Sequence, residues 1–199
     1  MSAGDGPVEL PLDALARLGR TAYVHAGMSD DDAALVVEVQ LEADLRGVDT
    51  HGFQRLPWYV EHLEGGRNNP RPDVRVLRQT PSSVHLDGDN GLGQLVCVRL
   101  MERVVDKAVA TGVGVGGVRN SNDWGCGAYY PLMAARAGLV AFATTTSGMP
   151  LTSPCRIVAV GTLRSASSSG VASWVCAVTR TASPDTRPES STVPPVAGL

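Results

Sequence analysis

Residues 92–111 repeat apolar side chains at helical spacing, through Leu95, Val98, Met101, Val104, Val105 and Ala108. Strand-like runs flank this stretch, Ser83–Leu86 before it and Val113–Val118 after it. A second helical pattern over Ala128–Ala137 leads into another strand, Leu139–Thr144, and Val74–Leu77 reads as a further short strand. Asn69-Pro-Arg-Pro72 is a connector, and Asp87–Gly91 reads as a turn. Strands alternating with helices define an α/β region.

The stretch before it has a different character. Leu12, Leu15 and Leu18 predict a helix over 11–26, stopped by Gly27. Ser29-Asp-Asp-Asp32 predicts a capped start to a second helix, with three carboxylates at its positive end. Its apolar face is expected to comprise Ala34, Val37, Leu41 and Leu45, with Gly47 ending it. A third helix is predicted over 51–64, with Leu56, Tyr59, Val60 and Leu63 as its stripe, Pro57 starting or kinking it, and Gly65-Gly66 ending it.

Composition narrows the possible functions. The chain has 199 residues, enough for one ordinary core and a small satellite. Seventeen basic and twenty acidic residues give a net charge of −3, so nothing global recruits nucleic acid or an anionic membrane. No run reaches the ~20 apolar residues of a membrane span. The acidic start Met1-Ser-Ala-Gly-Asp-Gly has no basic or apolar leader pattern, which predicts a cytoplasmic protein. Cys97, Cys126, Cys155 and Cys176 form no C-x-x-C pair, so neither a zinc module nor a disulfide scaffold is expected. His25, His62 and His85 show no metal spacing.

Chemistry concentrates in Asp44-Leu-Arg-Gly-Val-Asp-Thr-His-Gly-Phe-Gln-Arg-Leu-Pro-Trp-Tyr59. Histidine is the side chain most easily poised to move a proton near neutral pH. In a helix, Arg55 would share a face with His51 one turn earlier, and its guanidinium could grip a carboxylate through two parallel hydrogen bonds. The pair suits a 2-oxo or 2-hydroxy acid, with Arg55 on the carboxylate and His51 on the neighbouring oxygen. The plainer alternative is a surface His–Arg pair with salt-bridged aspartates. Gly112-Val-Gly-Val-Gly-Gly117 brushes against a G-x-G-x-x-G fingerprint, but it runs into a strand and no helix follows directly. It reads as close packing or the start of a strand. Arg119-Asn-Ser-Asn-Asp-Trp-Gly-Cys-Gly127 lies between a strand and a helix, where it suits either a phosphate or ribose contact or an Asx-rich loop capping the helix. Cys126 lies in that loop without a histidine near it in sequence, which leaves nucleophilic catalysis as a minor reading. Thr144–Pro150 fits ligand contact or a plain turn.

Together these residues resemble the type-2 malate/L-lactate dehydrogenase family. The run Asp44-x-x-Gly-x-x-Thr-His-Gly with Arg55 and Tyr59 is similar to the family's Asp-x-x-Gly-x-x-Ser-His-Gly-x-x-Arg signature. Gly65/Gly66 to Asn69-Pro70, Asp87-Gly-x-Asn-Gly-x-Gly-Gln94 and Val118-Arg-Asn-Ser-Asn122 match further blocks, so the resemblance covers about residues 8–154. It implies an α/β fold with a helical N-terminal region and a nucleotide domain that is not a Rossmann fold, here incomplete. It implies NAD or NADP as cofactor, a small 2-hydroxy or 2-oxo acid as substrate, and a homodimer. It aligns His51 with the family's proton donor, Arg55 with a substrate-carboxylate contact, and Thr50 with the usual serine. Asn120, Asn122 and Thr145 are carried over as cofactor contacts.

Three departures accompany the resemblance, one of them Thr145-Thr146 where the family has Thr-Asn. The family has histidine after Arg-Asn-Ser-Asn, where this chain has Asp123, and a carboxylate there would repel cofactor phosphates or a substrate anion. Past residue 154 the family blocks are absent, and 155–199 holds 13 Ser/Thr and 4 Pro. The strand-like fragments there, Ile157–Val160 and Val171–Val178, have no helix to pack against, and the tail is expected to be disordered. A single lysine, Lys107, and a single isoleucine, Ile157, mark a GC-rich gene, and a shifted reading frame in such DNA yields Arg, Ser, Ala, Pro and Val. The expected organisation is a helical region over 8–68, a partial α/β region over 69–154 and an atypical tail over 155–199. The expected function is that of a truncated dehydrogenase. The alternative is a catalytically dead fragment that binds a small anion or a partner subunit.

Overall fold

The computed structural model describes residues 10–145 and the strand at 172–180. Three helices come first: α1 (Leu12–His25), α2 (Asp30–Leu45) and α3 (Leu56–Glu64). They are followed by β1 (Arg75–Gln79), β2 (Ser83–Gly91), α4 (Gly93–Thr111), β3 (Val113–Ser121), α5 (Tyr129–Arg136), β4 (Leu139–Thr145) and β5 (Ala172–Arg180).

The five strands form one sheet in the order β1-β2-β3-β5-β4. Only β2 and β3 run parallel, with Leu86 opposite Val118 and α4 as the crossover between them; every other neighbouring pair is antiparallel. A doubly wound nucleotide fold has a mostly parallel sheet, so this mixed sheet departs from it as expected. The glycine run also follows the packing reading. A Cβ on Gly114 would stand 2.1 Å from the Val104 carbonyl, and one on Gly116 would stand 2.3 Å from the Val104 side chain. The glycines therefore let β3 lie directly against α4.

The core forms two joined clusters. Val84, Leu86 and Val118 of the sheet pack with Val98, Leu100, Met101 and Val104 of α4 and with Tyr130 and Ala134 of α5. Tyr23, Ala33, Val36, Val37, Tyr59 and Leu63 form the helical cluster, and Leu92 and Leu95 extend it to the start of α4. The Arg99 guanidinium donates to Asp32 at 2.6 Å and ties α4 to the first turn of α2. The expected cap is present there, with Ser29 Oγ accepting the Asp32 N–H at 3.2 Å.

Several local expectations are corrected. On α1, Leu12 and Leu18 are 46% and 58% exposed, and the buried positions are Gly19 and Tyr23. On α2, Leu45 is exposed and the buried set is Ala33, Val36, Val37, Val39, Gln40 and Ala43. That helix packs on α1 on one side and reaches the sheet cluster through Val39 on another, so no single stripe describes it. The helix predicted over 51–64 is instead two 3-10 turns, Asp49–His51 and Phe53–Arg55, followed by α3 with Pro57 in its first turn. The turn expected at 87–91 is the end of β2, where Asp89 (φ 48°) and Asn90 (φ 58°) are left-handed and shift the register. The tail expectation also changes at 172–180. That segment is a strand hydrogen-bonded to β3 and β4 on its two edges, and α4 packs against it, so it has the packing helix it was expected to lack. Residues 155–171 and 181–199, with Ile157–Val160 and the frame-shift reading, lie outside the described residues, as does the loop beyond Thr145. Among the described residues no helix is long and apolar enough to cross a membrane.

Candidate functional site

The chemistry-bearing run folds into the short turns between α2 and α3, fastened at their midpoint. Gln40 of α2 is fully buried; its amide accepts from the Tyr23 hydroxyl at 2.7 Å and donates to the Gly52 carbonyl at 3.3 Å. Asp44, one helical turn later, accepts the Phe53 N–H at 2.8 Å. The approach is so close that a Cβ on Gly52 would stand 1.7 Å from the Asp44 carboxylate, so this position requires glycine. Burial pushes the Asp44 carboxyl above its ordinary value; the Phe53 N–H opposes the rise and the Asp49 charge adds to it.

This fastening displays Thr50, His51 and Arg55. The Thr50 hydroxyl lies 2.9 Å from His51 Nδ1, and Arg55 Nε donates to the Thr50 carbonyl at 2.9 Å. His51 and Arg55 are therefore brought together as expected, but through Thr50 across the break at Gly52 rather than across one helical turn. The Arg55 guanidinium lies over the Trp58 ring, 5.4 Å from its centre. Its Nη1 faces Asp123 Oδ2 at 3.7 Å, a loose pair in which both side chains keep access to solvent. Behind them stand two fully buried polar side chains. The Tyr59 hydroxyl and both amide atoms of Gln94 lack a hydrogen-bond partner of normal geometry. The phenol lies near Asp123, Arg55 and Gln94, and burial first, then the Asp123 charge, hold its ionisation well above the ordinary tyrosine range.

Asn120 and Asn122 lie elsewhere, at the ends of β2 and β3. They line a cleft of about 320 Å³ with Arg75, Asp87, Asp89, Asn90 and Ser121. Asn120 is left-handed (φ 52°) and donates its amide to Asp87 at 3.0 Å; the Asn122 amide donates to the Asn90 and Gly91 carbonyls at 3.1 and 2.9 Å. Burial would raise the Asp87 carboxyl, but hydrogen bonds from Asn120, the Asp89 N–H and Arg119, with the Arg119 charge, hold it below its ordinary value. Both amides thus tie β3 to β2, and neither caps α5, which has no side-chain cap. Thr145 does not join them; it ends β4, opposite Trp174 of β5. Cys126, also in the loop after β3, is buried.

These residues fit part of a nicotinamide dinucleotide. The buried Ser121 hydroxyl has no partner, and the cleft walls carry two carboxylates against one cation, which suits sugar hydroxyls better than phosphates. Sequence reasoning gave no role to Gln40. The available signal was a lone amide inside the apolar run Val36–Leu41, whose burial obliges it to find partners.

Comparisons with known proteins agree on one lineage. The family profile described as malate/L-lactate dehydrogenase matches residues 10–171, past residue 154 where the resemblance was read to stop. A malate dehydrogenase of Pyrococcus abyssi is 40% identical over 147 residues, 74% of this chain and 40% of that protein. An L-sulfolactate dehydrogenase of Methanocaldococcus jannaschii is 37% identical over 64% of this chain and 37% of its own length. The solved malate dehydrogenase of Pyrococcus horikoshii superposes with a TM-score of 0.70 at 39% identity, covering 74% of this chain and 42% of that one. The chain spans about two fifths of the length of these relatives.

Proposed function

The chain belongs to the malate/L-lactate dehydrogenase family, and we propose that its Thr50–Arg55 turn serves hydride exchange between a nicotinamide cofactor, NAD or NADP, and a small 2-hydroxy or 2-oxo acid. The observation that carries this reading is the unit His51–Thr50–Arg55, held on a turn pinned by Gln40 and Asp44. Arg55 binds the substrate carboxylate through its terminal nitrogens, while its Nε stays on the Thr50 carbonyl. His51 then addresses the neighbouring oxygen through Nε2, giving a proton to a 2-oxo group or taking one from a 2-hydroxyl. Thr50 keeps the hydroxyl of the family's serine 2.9 Å from Nδ1, and in the tautomer where it accepts from Nδ1–H the ring leaves Nε2 free as a base. When bound, the nicotinamide supplies or accepts the hydride. Asn120, Asn122 and the unpartnered Ser121 hydroxyl would hold part of that cofactor; Thr145, apart from them at the end of β4, is carried as a further contact on the family resemblance alone. The partner of the whole protein is a second copy of the same chain.

The test is NAD(P)H consumption by the 199-residue chain over a panel of 2-oxo acids. Turnover that falls at least about 100-fold in His51→Ala supports the enzyme. A second reading, a non-catalytic module binding a small anion or a partner subunit, is favoured by Asp123 lying against Arg55. No turnover by a chain that unfolds cooperatively favours the module.

A further inference from the structure

We propose that Asp123 and Arg55 act as one recognition pair that selects acids carrying an ammonium nitrogen on the carbon next to the carboxylate, that is 2-amino acids, over the corresponding 2-hydroxy acids. This rests on Arg55 being the carboxylate anchor and adds what stands opposite it.

The geometry carries the argument. Asp123 is held in place by its own loop, where Oδ1 accepts the Gly125 N–H at 2.8 Å. Oδ2 is left facing Arg55, and the 3.7 Å separation is too long for a hydrogen bond. Arg55 is steadied independently, by the Thr50 carbonyl through Nε and by the Trp58 ring. Each group has its own support, and both keep access to solvent, so a ligand can bridge them from the open side. The fully buried Tyr59 phenol stands against Asp123 and Gln94 behind the pair.

Charge then decides the class of ligand. A monoanionic hydroxy acid gains from Arg55 and gives back part of that gain to the Asp123 charge, so it binds more weakly than Arg55 alone would allow. A 2-amino acid presents both charges, separated by a single carbon, with its carboxylate toward Arg55 and its ammonium toward Asp123.

L-Lactate and L-alanine make a matched pair of probes, differing at C2 by hydroxyl against ammonium. Dissociation constants are read from amide shifts of His51 and Gly125 in ¹⁵N-labelled full chain. The expected result is L-alanine binding at least about tenfold tighter than L-lactate, with Asp123→Asn reversing the order. L-Lactate binding as tightly as L-alanine to the unmodified chain overturns the proposal without any variant, and so does a preference unchanged in Asp123→Asn. If L-lactate binds, is lost in Arg55→Ala and is indifferent to Asp123, this inference fails and the anchor reading stands. If neither probe binds a folded chain, both fail.

Discussion

At the scale of single residues, the site depends on side chains that do no chemistry. Gln40 joins α1, α2 and the His51 turn through two hydrogen bonds from a fully buried position. Gln40→Ala strands the Tyr23 hydroxyl and the Gly52 carbonyl, and it is expected to cost about 1–3 kcal/mol in urea unfolding. It should also weaken ligand binding, although Gln40 sits behind the turn. Gly52→Ala is expected to displace the turn outright, read as a loss of the Phe53 amide's protection from hydrogen exchange. Asp87 gives a pH signature. Its folded carboxyl titrates below the ordinary value of about 3.8, so its contribution is complete at neutral pH. It is lost as pH falls from about 4 through the folded value, where the native hydrogen bonds compete with protonation. Urea midpoints measured from pH 7 to pH 3 should fall less steeply in Asp87→Asn than in the unmodified chain.

At the scale of elements, the sequence was legible wherever one face alone meets the core. The apolar rhythm of residues 92–111 predicted α4 to within a residue, because its later turns lie over the sheet by one face, while its first turns are buried all round between the sheet and the helical cluster. The strands at 83, 113 and 139 were legible too, though β2 and β3 run on past the predicted ends into left-handed residues that no propensity marks. α1 and α2 misled because leucines on an exposed face imitate a stripe, while the buried contacts use glycine, alanine, valine and a glutamine. A paired test separates the two cases. Leu100→Ala, in the core against Gly116, should cost about 2–5 kcal/mol. Leu18→Ala should change stability by less than about 0.5 kcal/mol despite its place in the periodic run. In the proposed site, residue type and spacing singled out His51 and Arg55, and the family resemblance added Thr50. Their true link was not, because the break at Gly52 follows from contacts with Gln40 and Asp44 on another helix.

At the scale of the whole molecule, α4 and α5 cover one face of the sheet. The other face leaves Val113, Val115, Val140 and Phe142 between 39% and 53% exposed among the described residues. An apolar face of this kind binds hydrophobic dyes, and Val115→Thr with Phe142→Thr should lower that binding while leaving the His51 turn intact. The site lies apart from this face, assembled from α2, the turns before α3, and the loop after β3. The measurement that bears most directly on its role is an L-lactate titration of the ¹⁵N-labelled chain beside Arg55→Ala. Saturable shifts centred on Thr50–Arg55 and Asp123–Gly125, abolished in the variant, are the predicted result. Shifts absent from those residues, or equal in the two proteins, would contradict the assignment of this turn as an acid-binding site.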